Sequence, residues 1–270
     1  MIQTVNSKLE FFDYQIRSAR DQESKELVYA LVNNSSDALT QLATTFSASE
    51  IAYIRRVLDY MFETNNSSIR EVMAIKHTEA SQLARLSKRN RQSQVNGRQS
   101  QINGGDEEES QTPADTGISI SEADSILSTL VSSSFFQKSR TGYYALAPRA
   151  LMELRAYLKE TYNLSADETE DGREVVRIKD CEGCREVVTH GIRCNDKECG
   201  VRWHDACANS YYRGTREKKC PRCRTLCTGD VFVGERADRP GGRNSMGSGR
   251  RGTQRVEAEE DDDDDDVEDE

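Results

Sequence analysis

All eight cysteines of this 270-residue chain lie between Cys181 and Cys227, and none occurs in the first 180 residues. Seven of them, with one histidine, form the series Cys181-x2-Cys184-x9-Cys194-x4-Cys199-x4-His204-x2-Cys207-x12-Cys220-x2-Cys223. Structural zinc prefers thiolate and imidazole ligands, and a two-residue spacer lets both sulfurs of a turn face one ion. Eight such ligands are enough for two tetrahedral sites. The sequence therefore predicts two Zn²⁺ ions.

A disulfide framework is the alternative use of such a series, and it requires an oxidising compartment. The amino terminus has no charged start followed by an apolar run, so it does not resemble a secretory signal. No stretch approaches the ~18 apolar residues of a membrane span. These features predict a soluble protein of a reducing compartment, with zinc rather than disulfides and with no membrane contact.

The order of four cysteines, one histidine and three cysteines fits two cross-braced zinc folds, the RING finger and the PHD finger. In both folds alternate ligand pairs share a metal. The predicted ligands of the first zinc are Cys181, Cys184, His204 and Cys207. The predicted ligands of the second zinc are Cys194, Cys199, Cys220 and Cys223. Because the metal provides most of the folding energy of such a module, the loss of any ligand is expected to unfold it.

Residues near the last ligand pair distinguish the two folds. A PHD finger has a large aromatic residue two positions before the seventh ligand, where this chain has Lys218. RING fingers often have a proline between the last pair and a basic residue directly after it, as Pro221 and Arg224 stand here. The pattern favours a RING-type zinc finger over residues 175–230.

One cysteine and two histidines of the chain lie outside this ligand series. Cys227 is surplus to two tetrahedra, and we interpret it as a free thiol in a fraying loop, with an alternate ligand of the second site as the other possibility. His77 and His190 lack ligand spacing and are expected to be ordinary surface or packing residues.

The amino-terminal residues carry the pattern of a β-hairpin. Phe12, Tyr14 and Ile16 alternate with polar residues, which is the period of a half-buried strand. After a polar turn, Leu27 to Val32 form an apolar run of strand length. The hairpin resembles the wing of a winged-helix domain whose helices are missing, because only the first ten residues precede it. We therefore interpret residues 1–46 as the remnant of a truncated first winged-helix domain.

A complete winged-helix pattern follows over residues 47–164. Its elements are a helix capped by Ser47, a weaker helix over 68–83, a helix capped by Ser119, a hairpin over 135–146 and a closing helix from Pro148. The polar face of the third helix carries no lysine or arginine, so it is a poor reader of phosphates or guanines. Protein contact is therefore favoured over direct DNA readout.

Two segments have the composition of disordered chain. Residues 86–117 are rich in Ser, Gln, Asn, Arg and Gly and have few apolar residues. Residues 231–270 are first Gly/Arg-rich and then acidic, with twelve acids and no base over 257–270. Removing those twelve negative charges from the formal net charge of −10 leaves +2, so net charge does not predict nucleic-acid binding. The predicted fold class is α+β multidomain: a winged-helix region with a truncated first copy, a small cross-braced two-zinc RING-like module and a disordered acidic tail.

Several segments resemble the family of non-structural maintenance of chromosomes element 1, the RING subunit of the SMC five/six complex. They are FDYQIRSARD, ELVYALVNNSSDALTQLATTFSASEI, GYYALAPRALMELRAYLKETY and the cysteine-rich module, and the resemblance covers residues 8–84 and 118–229. It implies tandem winged-helix domains, a variant RING with histidine as fifth ligand, and a nuclear role in DNA repair. It also implies assembly with a MAGE-type subunit and a kleisin subunit. The activity that it implies is that of a ubiquitin ligase stimulated by the MAGE-type partner. Because the third helix is a poor reader of DNA, we expect DNA contact only as part of the complex.

Two functions fit these features. A RING-type E3 ubiquitin transferase binds a ubiquitin-conjugating enzyme, and here Pro221 would shape the second zinc loop while Arg224 would contact both ubiquitin and that enzyme. Gly183 stands where RING ligases usually carry an aliphatic residue, so we expect activity to be weak without the partner, and a longer side chain there to be harmless or helpful. The alternative is a non-catalytic assembly module that binds the MAGE-type and kleisin subunits. A histone-tail reader is disfavoured by Lys218.

Overall fold

A computed structural model of the chain describes residues 2–34, 42, 45–85, 117–169 and 171–238. All but the last residue of the predicted disordered insert lies outside these ranges, as does the chain after Asp238. Among the described helices, none is long and apolar enough to cross a membrane.

The predicted amino-terminal hairpin is confirmed. The first elements are helix α1 (Ile2–Leu9) and the antiparallel strands β1 (Tyr14–Arg20) and β2 (Leu27–Asn33). On the inner face of the hairpin, Ala30 and Val32 pack against Met152. Phe12 was expected in the strand, but it ends a short 3₁₀ turn before β1, and its side chain is 72% exposed.

The next elements follow the winged-helix order of helix, strand, helix, helix, strand and strand. They are α2 (Ala48–Asp59), β3 (Ile75–Lys76), α3 (His77–Leu83), α4 (Ile120–Ser132), β4 (Phe136–Lys138) and β5 (Tyr143–Leu146). The three strands form one sheet in the order β3-β5-β4. Both predicted capping boxes are present, because Ser47 accepts from Glu50 N and Ser119 accepts from Glu122 N.

The predicted helix over 68–83 is wrong in its first half, since only α3 is helical there. The preceding loop turns back on itself instead, with an isolated antiparallel bridge between Asn66 and Glu71. Met73 adopts a positive φ of 45°, which no helix accommodates. Tertiary contacts of Glu71, described below, override the weak helical pattern of this segment.

The closing helix begins at Pro148 as predicted, but it breaks at Leu154 into α5 (Pro148–Glu153) and α6 (Arg155–Tyr162). Leu154 and Leu158 are both fully buried, as is Tyr162 at the end of α6. The break therefore keeps the apolar stripe of both helices on the core of the winged-helix domain.

The RING-like module contains β6 (Gly191–Arg193), β7 (Arg202–Trp203), helix α7 (Asp205–Tyr211) and β8 (Phe232–Val233). Its sheet has the order β7-β6-β8. A Cβ atom at Gly191 would lie 2.0 Å from the carbonyl oxygen of Trp203, so only glycine allows β6 and β7 to approach this closely.

Residues 231–238 were assigned to the disordered tail, and the structure contradicts that boundary. Strand β8 pairs with β6, and a 3₁₀ turn follows over Glu235–Asp238. Val233 is fully buried, and Ala237 packs with Val72 and Ala74 of the winged-helix domain. Amino-acid composition does not reveal this segment, because it is too short to show the hydrophobic periodicity of a strand or a helix. The module and the winged-helix domain also share one contiguous set of buried apolar side chains.

Candidate metal centre

The four residues predicted for the first zinc lie together. The ligand atoms of Cys181, Cys184, His204 and Cys207 are all within 4.8 Å of one another. Nδ1 of His204 is 3.2 Å from Sγ of Cys184, which makes it the ring nitrogen that faces the cluster. An ion with ~2.3 Å bonds to sulfur at the centre of a tetrahedron has donors roughly 3.7 Å apart, so the cluster has the size of a zinc site.

The second predicted set is equally compact. The sulfurs of Cys194, Cys199, Cys220 and Cys223 lie within 4.8 Å of one another. Sγ of Cys194 is 3.4 Å from Sγ of Cys223, and Sγ of Cys199 is 3.6 Å from Sγ of Cys220. Neither cluster includes a carboxylate, and donor sets of three thiols with an imidazole, or of four thiols, fit structural zinc. In each cluster the ligand pairs are alternate pairs of the series, which is the predicted cross-brace.

The Cys-x2-Cys pairs at 181–184 and 220–223 form the same turn, which we call a knuckle. In the first knuckle, Arg185 N donates to the carbonyl of Cys181 at 2.9 Å, and in the second, Arg224 N donates to the carbonyl of Cys220 at 3.1 Å. Arg185 and Arg224 both have a φ of 63°, so each turn closes through a left-handed residue. The repeated geometry explains how two short sequences present paired sulfurs to one point.

The thiols differ in how readily they ionise. Burial raises the pKa of Cys181, but hydrogen bonds from His204 and nearby backbone N–H groups outweigh it and bring the pKa to about 6. Hydrogen bonds from the Thr225 hydroxyl and backbone N–H lower the pKa of Cys223, also to about 6. Burial raises the pKa of Cys207 to about 12, and burial also raises the pKa of Cys194. Each cluster therefore combines a readily ionised thiol with thiols that need a cation to become thiolates.

Cys227 lies outside both clusters. It is buried, with its N–H donating to the Lys218 carbonyl at 2.7 Å and its thiol 3.7 Å from the Thr225 carbonyl. The interpretation of a fraying loop is therefore wrong, because Cys227 is a packed residue beneath the second knuckle. His77 and His190 are also outside the clusters: His77 contacts the Tyr144 hydroxyl at 3.3 Å, and His190 lies 3.8 Å from Asp205.

A buried ionic cluster joins this module to the winged-helix domain, and sequence patterns did not reveal it. The carboxylate of Glu71 is 1% exposed. It accepts hydrogen bonds from Nε of Arg202 at 2.6 Å and from Nη2 of Arg202 at 2.5 Å. Nζ of Lys179 lies 2.8 Å from the same carboxylate. Burial alone would raise the pKa of Glu71, but the hydrogen bonds and charges of Arg202 and Lys179 hold it at about 2. Glu71 is therefore ionised and paired inside the protein.

Arg202 connects this ionic cluster to the zinc ligands. Its Nη1 donates to the carbonyls of Cys199 and Val201 at 2.7 and 2.8 Å. Its own carbonyl accepts from the N–H of Glu182 at 2.9 Å, within the first knuckle. Arg193 adds a further link, since its guanidinium donates to the carbonyls of Ser68 and Ile69 at 2.8 and 3.0 Å. The RING-like module is thus bound to the winged-helix domain through the loop before β3.

Comparisons with known proteins decide the family. Residues 1–154 match the family model described as the Nse1 non-SMC component of the SMC5-6 complex. This chain belongs to the Nse1 family. Residues 181–223 match the model of a RING-like domain, which spans the two Cys/His clusters. The family resemblance of the sequence is confirmed by both matches.

Relatives of this Nse1 family member come from several animals and a yeast. The non-structural maintenance of chromosomes element 1 homologs of Bos taurus and Homo sapiens are 22% and 23% identical over 82% of this chain. The chain spans 66%, about two thirds, of the length of each of these relatives. A solved chain described as "Nse1-Nse3-Nse4 complex" is 20% identical with a TM-score of 0.58, covering 85% of this chain and 79% of that chain. At this identity the likeness concerns the fold alone.

One expectation about the RING-like surface of this Nse1 family member concerns Gly183. A Cβ atom at Gly183 would lie 3.1 Å from Cβ of Cys207 and 3.3 Å from the Trp203 ring. A longer side chain at 183 therefore requires Cys207 or Trp203 to move by a few tenths of an ångström. Its effect on activity stays a prediction.

The two knuckles are joined at the surface by an ion pair, since the guanidinium of Arg222 lies 3.3 Å from the carboxylate of Glu182. Pro221 is partly buried beside this pair, whereas Arg224 is exposed and has no ion pair within the described ranges. On α4, the exposed side chains of the outer face include Glu122 and Asp124 and no lysine or arginine, as the sequence predicted.

Proposed function

We propose that this chain is a RING-type E3 ubiquitin transferase subunit of a chromosome-maintenance and DNA-repair complex of the nucleus. The observation that carries the proposal is the cross-braced pairing of two Cys/His clusters in a chain of the Nse1 family. The proposed first zinc is held by Cys181, Cys184, His204 and Cys207. The proposed second zinc is held by Cys194, Cys199, Cys220 and Cys223.

The proposed chemistry is one of orientation. A RING ligase makes no covalent bond to ubiquitin, and it accelerates transfer by holding the ubiquitin-charged conjugating enzyme in a reactive pose. Pro221 shapes the second knuckle, and Arg224 extends from its end as an exposed cation able to bond two proteins. The Glu182–Arg222 pair bridges the two knuckles at the surface that we propose for docking.

Substituting Arg224 with alanine is expected to slow ubiquitin discharge from a conjugating enzyme about tenfold. A charge-assisted hydrogen bond contributes roughly 1.5–3 kcal/mol, and about 1.4 kcal/mol corresponds to a factor of ten. Arg213→Ala is the matched control, since Arg213 is an exposed arginine of the same module outside the knuckles. Discharge is measured as loss of thioester in a single-turnover assay, with the MAGE-type partner present. Equal rates for wild type and Arg224→Ala would contradict the assigned role of Arg224.

The proposed partners are the MAGE-type subunit and the kleisin subunit of the SMC five/six complex, and the similar solved chain is described as an Nse1-Nse3-Nse4 complex. We place the MAGE-type subunit on the outer face of the first hairpin. There, Leu27, Tyr29 and Leu31 are 48%, 52% and 53% exposed, and Phe11, in the 3₁₀ turn before β1, is 94% exposed. Contiguous exposed apolar residues of this kind mark protein interfaces. DNA contact is proposed only as part of the complex, because the outer face of α4 carries no cation.

Changing Leu31 to lysine is expected to weaken binding of the MAGE-type partner at least tenfold and to leave the fold intact. A lysine head group at the interface must lose its water, whereas in the free chain it remains solvated because the position is half exposed. Ile69→Lys is the matched control, since Ile69 is 40% exposed on a different surface. Binding is measured by calorimetry with purified partner. Unchanged affinity for Leu31→Lys would move the interface away from the hairpin.

The second candidate function is a non-catalytic assembly module that binds the MAGE-type and kleisin subunits. The close packing at Gly183 favours it, because the first knuckle cannot offer the usual aliphatic contact to a conjugating enzyme. Burying one such side chain contributes on the order of 1.5–3 kcal/mol. We therefore expect low ligase activity alone and higher activity with the partner. If wild type with partner discharges no faster than the conjugating enzyme alone, across a broad panel of these enzymes, the assembly module is the function.

A further inference from the structure

The turn between β1 and β2 joins the first hairpin to the RING-like module through Gln22. The turn is closed from within, because the Asp21 carboxylate accepts from Glu23 N at 2.9 Å and from Ser24 N at 2.6 Å. Lys25 N also donates to the Asp21 carbonyl at 3.0 Å. With the backbone of the turn bonded internally, the amide of Gln22 is left to bond outside the hairpin.

Gln22 bonds the segment that follows the first knuckle. Its Oε1 accepts from the backbone N–H groups of Thr189 and His190 at 2.9 and 2.8 Å. Its Nε2 donates to the carbonyl oxygen of Val187 at 2.9 Å. Val187 and Thr189 are buried, and the hydrogen bonds from Gln22 are partly buried with them. A single side chain thus bonds both donors and acceptors of one backbone segment.

The same carbonyl of Val187 supports the first zinc site. Nε2 of His204 lies 3.2 Å from it, while Nδ1 of His204 faces the cluster. A histidine that binds a metal through Nδ1 carries its proton on Nε2, so that nitrogen donates to Val187. Such outer contacts set the tautomer and orientation of a liganding imidazole. A carbonyl has two lone pairs, and here His204 uses one and Gln22 the other.

We propose that Gln22 is a positioning residue for the first zinc site, and that the amino-terminal hairpin is part of the outer shell of that site. The proposal rests on the proposed zinc ligands. The packing of the hairpin turn on the RING-like module and the orientation of the His204 ring are coupled, because both depend on the Val187 carbonyl. The coupling is reciprocal. Binding of the first zinc in turn strengthens the packing of the hairpin turn on the RING-like module.

The experiment measures zinc release from the full chain into excess chelator, after the metal content of each variant has been determined. Gln22→Ala is expected to release one of its two zincs about tenfold faster than wild type and the other at the wild-type rate. Gln22→Glu is expected to behave like Gln22→Ala, because a carboxylate cannot donate to Val187. Gln15→Ala is the control, since Gln15 is a half-buried glutamine of the same hairpin that bonds Arg17 at 3.3 Å.

Cobalt substitution identifies which site responds. A site of three thiolates and one imidazole absorbs differently from a site of four thiolates, and only the spectrum of the first is expected to change in Gln22→Ala. The coupling is overturned if both metals leave all variants at wild-type rates, or if Gln22→Glu retains zinc like wild type. Equal acceleration of both metals would also overturn it, as general destabilisation. A wild-type content below two zincs would instead contradict the zinc sites themselves, which separates the two failures.

Discussion

Replacing Cys220 with serine is expected to lower the zinc content below two ions per chain and to unfold the RING-like module. Cys220 is the fully buried first residue of the second knuckle, and its thiol is 3.6 Å from that of Cys199. Binding of a structural zinc contributes roughly 10–16 kcal/mol at neutral pH, more than the ~5–15 kcal/mol that stabilises most domains. A serine oxygen does not replace a thiolate in such a site. Removal of both ions from the wild-type chain by a chelator is also expected to unfold the module.

Cys227→Ser is the matched control for this experiment, because Cys227 is also buried but lies outside both clusters. It is expected to retain two zincs. Folding of the module can be followed separately, since Trp203 is the one tryptophan of the chain and its ring packs 4.6 Å from that of Tyr211. The expected result is exposed tryptophan fluorescence in Cys220→Ser and native fluorescence in Cys227→Ser. Two zincs in Cys220→Ser, or a lost zinc in Cys227→Ser, would contradict the assigned ligands.

Substituting Glu71 with alanine is expected to destabilise the chain by about 3–5 kcal/mol. The substitution leaves Arg202, 1% exposed, and Lys179 without the carboxylate that they share, and an unpaired buried charge carries a cost of this size. Because Arg202 also bonds the carbonyl of Cys199, we expect the loss to spread to the second cluster. Denaturant unfolding followed by Trp203 fluorescence measures the change.

The control is Glu63→Ala, which removes a half-exposed carboxylate at 4.0 Å from Arg177. Surface pairs of this kind contribute less than about 1 kcal/mol. If Glu71→Ala costs no more than Glu63→Ala, the buried ion pairs do not hold the module on the winged-helix domain.

The pKa of Glu71 makes this stabilisation depend on pH in one direction. Its pKa is held at about 2, below its ordinary value of 4.5, so the contribution of the carboxylate is fully present above pH 4.5. It is lost as the pH falls from 4.5 towards 2. A shift of this size corresponds to roughly 3 kcal/mol. Glu71→Gln should therefore lose less stability than wild type between those pH values.

Much of the fold was readable from the sequence because its signals are local. The spacing of the cysteines and His204 limits which donors can share an ion, and the cross-brace followed from that order. The capping boxes at Ser47 and Ser119 predicted where two helices begin, since a cap is satisfied within one turn of chain. The alternation on either side of a polar turn predicted the first hairpin for the same reason.

Contacts between distant residues decided the rest. Glu71 belongs to a weak helical pattern, and only its partners in the RING-like module, more than a hundred residues away, draw its backbone into a loop. Strand β8 needs β6 as its template, so composition assigned it to the tail. Gln22 is an ordinary turn residue until the fold brings it to the Val187 carbonyl. A local sequence pattern shows how a segment forms hydrogen bonds with its own backbone. A buried charge or a shared carbonyl depends instead on partners that are distant in sequence, and only tertiary packing brings them together.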